Sequence, residues 1–495
     1  MNETDSSQKR FPLYMVYCVL VACLGSFNNG WVIGSPNVPG QITHQCPNGD
    51  SPVQGKLLPD CLPMEDAFWG FAVASFCLGG LFGGLLAGRI QTSWGRKRTV
   101  IWNNLGFILG SVLIGCSVSK SMFVIGRVLC GFSCGVTSLT IPTYIGEIST
   151  VPSRGAMGVC NQFFIVIGIL LSSVAGLPLA TVDYWRINYS LVAFPAVVQF
   201  FLMYTCIESP RYLVSVNRLD EAKIALQRLR NQAPVEDELF NMVEAQFSIS
   251  VAEAMLKKIN RTESPKLVGD IPNEETGNHA LEQMTMFQVF RDPVLHRISL
   301  TVIFLHAFQQ LVGINAVMYY STAIFNLAFD PKMSQYMAIM TTVVNFVATI
   351  IAALLVDRMG RRPLLLLASA GACLFCILLV VGYVYTLPSL LVTSVFMYVA
   401  SFALGIGPIP WMITSELTPT NASSIVGSLA TCVNWSVNFF IGQCFPVLFS
   451  KITGYSFIVF AVFSLLCFIF TYFFLPETKG KSLECIVASY EKYRH

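Results

Sequence analysis

The chain has 495 residues, of which 54% are hydrophobic and 12% are charged, and its formal net charge is +3. The charged share is about half of that in an average soluble domain, and the mean hydropathy is +0.61. These values argue against a soluble globular enzyme, a disordered protein or a collagen-like chain. The small net charge gives no support for nucleic-acid binding.

Uncharged runs long enough to cross a bilayer repeat along the chain. No charged residue occurs from Phe11 to Gly49, from Ala67 to Gly88 or from Pro363 to Ser415. Because a membrane helix needs roughly 20 apolar residues, the pattern predicts an all-α membrane protein with twelve transmembrane helices. The predicted spans are residues 12–34, 67–88, 98–117, 121–145, 157–179, 187–206, 296–320, 334–356, 363–384, 389–414, 425–449 and 455–475.

The short loops alternate between basic and nonbasic composition. Arg96, Lys97 and Arg98 follow span two, whereas the loop 35–66 contains Lys56 as its only basic residue. The positive-inside rule therefore predicts that both termini and the segment 208–294 face the cytoplasm. The external loop then holds Cys46 and Cys61, which could form a disulfide outside the cell, with two free thiols as the alternative.

The chain divides into two similar halves. We predict an N-terminal six-helix half at 1–207, a cytoplasmic helical linker at 208–294, a C-terminal six-helix half at 295–476 and a cytoplasmic tail at 477–495. Trp94–Arg98 and Asp357–Arg362 are similar motifs that follow the second span of their halves. Matched motifs at matching places indicate an internal duplication.

Basic and acidic residues recur together at the predicted cytoplasmic ends of the helices. We predict an inner gate that joins the two halves while the site is open outward and breaks for inward opening, because guanidinium groups pair with carboxylates. Its predicted members are Arg96, Glu147, Arg154, Arg358, Arg361 and Glu416. The alternative is that the bases only obey the positive-inside rule.

Uncharged amides stand out within the apolar spans. They are Gln162, Gln309, Gln310, Asn315, Asn345, Asn434 and Asn438, with Trp411 and Trp435 near some of them in sequence. A single amide is most simply glue between helices. A set of amides with indole rings and no charge suits a neutral polyhydroxy molecule, because each hydroxyl that leaves water needs donors and acceptors. No Walker motif occurs, and the residues indicate no cofactor and no metal.

Glycine and proline interrupt two of the spans that carry these residues. Gly313 follows the glutamine pair of span seven, and Gly405, Gly407, Pro408 and Pro410 fall within span ten. Broken helices are tolerated at membrane depth where they line a cavity, and they are natural hinges for alternating access. A static kink is the alternative interpretation.

Several of these stretches together resemble sugar porters of the major facilitator superfamily, and among them the animal facilitative glucose transporters (GLUT type). The matching stretches are Gln309–Tyr320, Gly407–Trp411, Asp357–Arg362, Glu208–Arg211 and Pro476–Gly480. The resemblance covers essentially the whole chain. It implies a major facilitator fold, sugar contacts at the amides and Trp411, inner-gate roles for the charged set above, and location in the plasma membrane.

The chain also departs from the family pattern. Ser93 and Ser423 stand where the family usually has Arg, and Ala403 stands where the closest relatives commonly have Glu. Residues 306–308, His-Ala-Phe, replace the Gln-Leu-Ser that is associated with glucose over fructose. These changes affect the expected strength of the gate and the expected hexose.

We therefore expect a transporter and not an enzyme: facilitative uniport of a hexose, most simply D-glucose, by alternating access. Proton–sugar symport is the nearest alternative, but proton-coupled members of the family typically carry an Asp in span one, where this chain has Asn28 and Asn29. Arg127 and His306 are the remaining ionisable residues within the spans that bear on proton coupling. A different cargo, such as fructose or galactose, and a sugar sensor without transport are further alternatives. The expected partners are the hexose and the lipid bilayer; the oligomeric state is left open.

Overall fold

The computed structural model describes residues 11–45, 58–150, 153–244, 284–419 and 422–479, and these residues form helices and no strands. The helices of the first half are α1 (Leu13–Gly34), α2 (Gly40–His44), α3 (Asp66–Trp94), α4 (Arg96–Gly115), α5 (Lys120–Ile148), α6 (Arg154–Leu179), α7 (Trp185–Ser190) and α8 (Ala193–Thr205). Three short helices follow: α9 (Pro210–Ser215), α10 (Leu219–Leu229) and α11 (Glu236–Glu244).

The second half repeats the plan of the first. Its helices are α12 (Met286–Arg291), α13 (Pro293–Leu311), α14 (Ile314–Phe325), α15 (Pro331–Met359), α16 (Arg361–Val384), α17 (Pro388–Ser401), α18 (Ile409–Leu417), α19 (Ser423–Ile452) and α20 (Phe457–Phe474). The pairs α7 and α8, α13 and α14, and α17 and α18 each form one interrupted crossing.

Ten stretches of the described residues are long and apolar enough to cross a membrane. One of them, Ile425–Phe474, contains both α19 and α20, separated by a 3₁₀ turn at Thr453–Ser456. The helix Arg96–Gly115 lies outside the ten because it begins with three basic residues and carries two asparagines in its interior. Within the described residues there are thus twelve crossings, and the predicted all-α, twelve-span architecture is confirmed.

A tight glycine turn starts the third crossing of the first half. Gly95 has φ +87°, and a Cβ built on it would lie 2.3 Å from the Glu208 carboxylate. Glu208 Oε1 accepts hydrogen bonds from the backbone N–H groups of Arg96 and Lys97, at 2.9 and 3.0 Å. The carboxylate therefore satisfies N–H groups that a helix start leaves free.

The second half has the same arrangement. Gly360 has φ +94°, and a built Cβ would lie 2.8 Å from Glu477 Oε2. Glu477 accepts from the backbone N–H groups of Arg361 and Arg362, each at 3.0 Å. Glu208 and Glu477 follow the last crossing of the first and the second half, respectively. Each therefore caps the helix that begins after the basic turn of its own half. We call the end of the bundle that carries Arg96 and Arg361 the basic end.

Contacts between the halves run along α3 and α19. The Trp435 ring lies against Gly80, where a built Cβ would come within 2.6 Å of it, and meets Phe76 edge-on at 5.7 Å. Away from the basic end, Asn37 Nδ2 donates to Ser321 Oγ at 2.7 Å, and Asn37 Oδ1 accepts from the backbone N–H of Thr322 at 3.3 Å. These buried contacts close the bundle at the end opposite to the basic end.

The described part of the predicted linker packs on the first half. Arg230 is buried, donates to the Ile148 carbonyl at 2.9 Å and pairs with Glu238 at 2.6 Å. Apolar residues of α10 and α11, such as Leu226 and Leu239, join a hydrophobic cluster that includes residues of α1 and α5. Residues 208–244 thus attach to the basic end of the first half.

The predicted disulfide falls partly outside the described residues. Cys61 is disulfide-bonded, whereas Cys46, its predicted partner, is not among them. Thirteen further cysteines in the described residues are free, and most of them are buried. Their placement agrees with small core side chains.

Candidate functional site

The crossing made by α13 and α14 is broken at the glutamine pair. Gln309 and Gln310 lie in the last turn of α13, Gly313 has φ +92° in the left-handed region, and Asn315 lies in the first turn of α14. All three amide side chains are buried. Because the chain turns at Gly313, amides from two helix ends face one another.

The crossing made by α17 and α18 is broken as well, through a π-helical turn at Phe402–Ile406. Pro410 has no N–H, so the Ile406 carbonyl cannot receive its usual helical hydrogen bond. Gln309 Nε2 replaces it and donates to the carbonyls of Ile406 and Gly407, at 3.2 and 2.5 Å. Gln309, which is a predicted sugar contact, therefore also stabilises the break in the neighbouring crossing.

Asn434 of α19 completes a chain of bonded amides. Its Nδ2 donates to Gln309 Oε1 at 2.6 Å, and its Oδ1 accepts from Gln310 Nε2 at 3.0 Å. Asn315 Nδ2 in turn donates to Gln310 Oε1 at 2.5 Å. We call Gln309, Gln310, Asn315 and Asn434 the amide cluster. It is buried, and its members bond to one another and, through Gln309, to the carbonyls of Ile406 and Gly407.

Asn438 lies one turn from Asn434 on the same face of α19. Its Oδ1 accepts a 2.9 Å hydrogen bond from the hydroxyl of Tyr319, which is buried. Tyr319 also meets Phe76 of the first half edge-on at 5.9 Å. Tyr319 was not among the residues predicted for the site, because a tyrosine in an apolar run is more often an ordinary core residue.

Gln162 and Asn345 lie apart from the amide cluster. Gln162 is half-buried on α6, and Asn345 is buried on α15. The two helices pack together, with Phe163 and Phe346 at 5.3 Å between ring centroids. Trp411 is half-buried in α18. Trp435 packs between the halves, and its Nε1 has no hydrogen-bond partner among the described residues.

The acids and bases of the predicted gate form two pairs at the basic end. Arg96 pairs with Glu147 at 2.8 Å, and Arg361 pairs with Glu416 at 2.9 Å. Thr478 Oγ1 also donates to Glu416 Oε2 at 2.5 Å. Each acid ends the fourth crossing of a half, and each arginine starts the third crossing of the same half.

This arrangement belongs to a structure whose halves are in contact at the end opposite to the basic end, and the bridging of the halves by the gate stays a prediction. In this structure both ion pairs lie within a half and do not bridge the halves, because each arginine is held beside its own half's acid by the glycine turn. Arg154 and Arg358 are exposed. Arg358 contributes its backbone carbonyl, which accepts from Lys479 Nζ at 2.6 Å.

Arg127 is a fully buried cation within the first half. Its two terminal nitrogens donate to the carbonyls of Val32 and Val73, each at 2.8 Å, and its guanidinium lies 4.8 Å from the centroid of the Phe76 ring. No carboxylate pairs with it in the part of the chain that the structure describes. Arg127 thus joins α1 and α3 through their backbones.

Two six-helix halves, broken crossings and a buried uncharged polar cluster define a membrane transporter of the alternating-access class. The family model described as "Sugar (and other) transporter" matches residues 18–490. The chain belongs to this sugar transporter family.

Curated relatives agree with this assignment, and solved structures share the fold. The chain is 34% identical over 489 residues to facilitated glucose transporter member 3 of Oryctolagus cuniculus, with 97% of this chain and 92% of that protein covered. It is 35% identical over 505 residues to member 4 of Homo sapiens, with 99% and 93% covered. The E. coli xylose transporter XylE, partially occluded and inward open, has a similar fold, with a TM-score of 0.72, 24% identity and coverage of 95% and 100%. XylE bound to 6-bromo-6-deoxy-D-glucose gives a TM-score of 0.73 at 23% identity, with 96% and 99% covered.

Proposed function

We propose that the protein moves a hexose, D-glucose, across the plasma membrane by facilitative uniport. The amide cluster is the observation that carries this proposal. It offers amide donors and acceptors without a formal charge, which suits a neutral polyol. The curated relatives named above, which are facilitated glucose transporters covering nearly the whole chain, support glucose as the cargo.

Binding in this proposal is an exchange of hydrogen-bond partners. The amides of Gln309, Gln310 and Asn434 hydrogen-bond to one another in this structure. A sugar hydroxyl displaces one hydrogen bond between two amides and forms hydrogen bonds to those amides in its place. The net gain in hydrogen-bond energy is therefore small. The indole of Trp411 offers an apolar face to the sugar ring. Gln162 and Asn345 are the proposed contacts from the facing pair α6 and α15.

Alternating access follows from the contacts at the two ends. The Asn37 contacts with Ser321 and Thr322 break when the opposite end opens. The ion pairs Arg96–Glu147 and Arg361–Glu416 keep the basic end of each half rigid, and we propose that they rearrange when the halves close there. The basic end is the cytoplasmic end in this proposal, with both termini on that side and the boundaries of the halves near residues 207 and 295.

Uniport is favoured over proton symport by the surroundings of Arg127. Coupling needs a titratable membrane group whose protonation changes sugar affinity. Arg127 bonds to backbone carbonyls, and α1 contains no carboxylate. A proton therefore has no carboxylate in α1 on which to act. The XylE structures support the fold alone and do not bear on coupling.

The test is uptake by the purified full-length chain in liposomes. We expect labelled D-glucose to equilibrate and a tenfold excess of unlabelled D-glucose to compete, with L-glucose as the matched control that does not compete. A panel of D-fructose, D-galactose and a polyol identifies the preferred cargo. Accumulation above equilibrium under an imposed pH gradient would overturn uniport, and failure to equilibrate any monosaccharide would overturn sugar transport.

A further inference from the structure

We propose that His306 is a positioning residue of the sugar site, which holds α18 so that the Trp411 indole stays beside the amide cluster. The inference rests on the proposed function, because it concerns the same site. His306 is fully buried on α13 and is not a member of the amide cluster. It stands between that cluster and α18, and its contacts identify what it does there.

The hydrogen bonds of His306 determine which ring nitrogen carries the proton. Thr414 Oγ1 donates its only proton to the Pro410 carbonyl at 2.8 Å. The 3.0 Å contact between Thr414 Oγ1 and His306 Nε2 therefore requires the N–H to be on the imidazole. Nδ1 is then an acceptor, and Asn434 Nδ2 approaches it at 3.5 Å.

Asn434 is bonded to the backbone of the same histidine. Its Nδ2 also approaches the His306 carbonyl at 3.3 Å, while its shorter bond, at 2.6 Å, goes to Gln309. One amide N–H thus serves the sugar-site glutamine and the other faces His306. A neutral imidazole is the form that fits, because it accepts on one side and donates on the other.

The same imidazole packs against Trp411. The two ring centroids are 4.5 Å apart and the rings are nearly perpendicular, at 84°. Trp411 and Thr414 are three residues apart on α18 and therefore lie on one face of it. His306 contacts that face at two points, through a hydrogen bond and through an edge-to-face ring contact.

The helix that His306 contacts, α18, is short. It spans the nine residues Ile409–Leu417 and follows directly on the π-helical break. Isolated helices of this length are marginal, so the orientation of α18 depends on its contacts. Its last turn carries Glu416, which pairs with Arg361 at 2.9 Å. His306 therefore connects the amide cluster to the helix that ends in the ion pair.

A neighbouring residue of α13 provides a matched control. Phe304 is exposed and packs against Phe470 at 5.6 Å between ring centroids, on a different face of the helix from His306. Its replacement by leucine keeps an apolar side chain there. Phe304→Leu should leave the KM for sugar unchanged.

The experiment is a double-mutant cycle on the full chain in liposomes, with equilibrium exchange of labelled D-glucose. We expect His306→Ala and Trp411→Ala each to raise KM by roughly tenfold, the scale of one lost buried interaction, with a smaller change in kcat. The double variant should resemble either single variant, because both remove the same positioned indole. His306→Gln, whose amide N–H can reach Thr414, should recover KM to within about threefold of the wild type.

The control cycle pairs His306→Ala with Gln162→Ala, on a different helix of the other half, and its effects should add. Additive losses for His306 and Trp411, or a fall in kcat at unchanged KM, would overturn the positioning role. If the wild type moves no sugar, the proposed function fails and the same cycle is measured by thermal unfolding. Additive changes in Tm would then overturn the contact between His306 and Trp411 as well.

Discussion

Gln309 Nε2 donates a 2.5 Å hydrogen bond to the carbonyl oxygen of Gly407, across the gap between two broken crossings. The same side chain accepts from Asn434 through its Oε1 at 2.6 Å. One glutamine therefore contacts both the proposed binding cluster and the proposed hinge. A sugar that displaces Asn434 from Gln309 would change the support of the hinge at the same moment.

Gln310 gives the most direct test of the proposed sugar contacts. We expect Gln310→Ala to weaken sugar binding by about 1–3 kcal/mol, because it removes the partner of Asn434 Oδ1 and of Asn315 Nδ2 and a ligand for the hydroxyls. The measurement is KM for equilibrium exchange of D-glucose. Gln41→Ala is the matched control, since Gln41 is exposed and lies in α2, far from Gln310 in the sequence. Unchanged affinity at normal expression would remove Gln310 from the site.

The glycine turn at Gly360 makes a prediction about stability. We expect Gly360→Ala to lower the free energy of unfolding by about 1–3 kcal/mol, because the residue has φ +94° and its Cβ would meet the Glu477 carboxylate. Thermal unfolding in detergent measures the change. Gly427→Ala serves as the control. A Cβ there has no neighbour within 4 Å, so Tm should stay or rise. Equal losses at both positions would refute the turn argument.

The two capping glutamates predict opposite dependences on pH. Burial raises the pKa of Glu477, but hydrogen bonds from four backbone N–H groups outweigh it and leave the pKa below its ordinary value of 4.5. Burial raises the pKa of Glu208 above that value, and backbone N–H groups only partly oppose it. The ionised Glu477 cap therefore contributes stability above pH 4.5 that is lost as the pH falls through the lowered pKa.

Glutamine variants separate the two caps. Glu477→Gln should lower Tm at neutral pH and flatten the loss of stability below about pH 4.5. Glu208→Gln should cost less at neutral pH. A raised pKa means that the folded state favours the protonated form, so the linked stability is present at low pH and is lost as the pH rises. Identical pH profiles of Tm for the two variants would contradict the assignment.

Asn37 makes a prediction about the balance between the two open states. Asn37→Ala removes hydrogen bonds to Ser321 and Thr322, which belong to the other half. We expect the opposite end to open more readily, by about 1 kcal/mol per lost bond. The ratio of the KM values for entry and exit should then shift, with KM lowered on the opposite side. Asn103→Ala is the control, because Asn103 bonds within the first half, to Ser133 and Thr137; a similar shift there would contradict the role of Asn37.

The helices themselves were predictable from the sequence because uncharged length is a local property. The residues at which the helices begin were less predictable. The third and ninth spans begin at Arg96 and Arg361, two residues before the predicted positions. The reason is that Glu208 and Glu477, more than a hundred residues away in the chain, satisfy the first N–H groups. A local pattern holds no information about a cap that comes from a distant part of the chain.

The amide residues of the site were predictable individually, and their partners were not. Helical spacing places Asn434 and Asn438 on one face, but the bond from Gln309 to Gly407 depends on the π-helical turn. The gate residues were predicted to join the halves when the site is open outward, and in this structure, closed at the opposite end, Arg96 and Arg361 pair with acids of their own halves. Residue types identify the charges, and only the packing of the helices decides which acid lies beside which base.

The paired amides have a consequence for the empty protein. Since Gln309, Gln310, Asn315 and Asn434 bond to one another in this arrangement, a carrier that keeps these bonds while it returns without sugar leaves few buried amide groups unpaired. Net transport down a gradient requires that the carrier return without bound sugar. A carrier built this way should cycle almost as freely unloaded as loaded, so trans-side sugar should accelerate it only modestly.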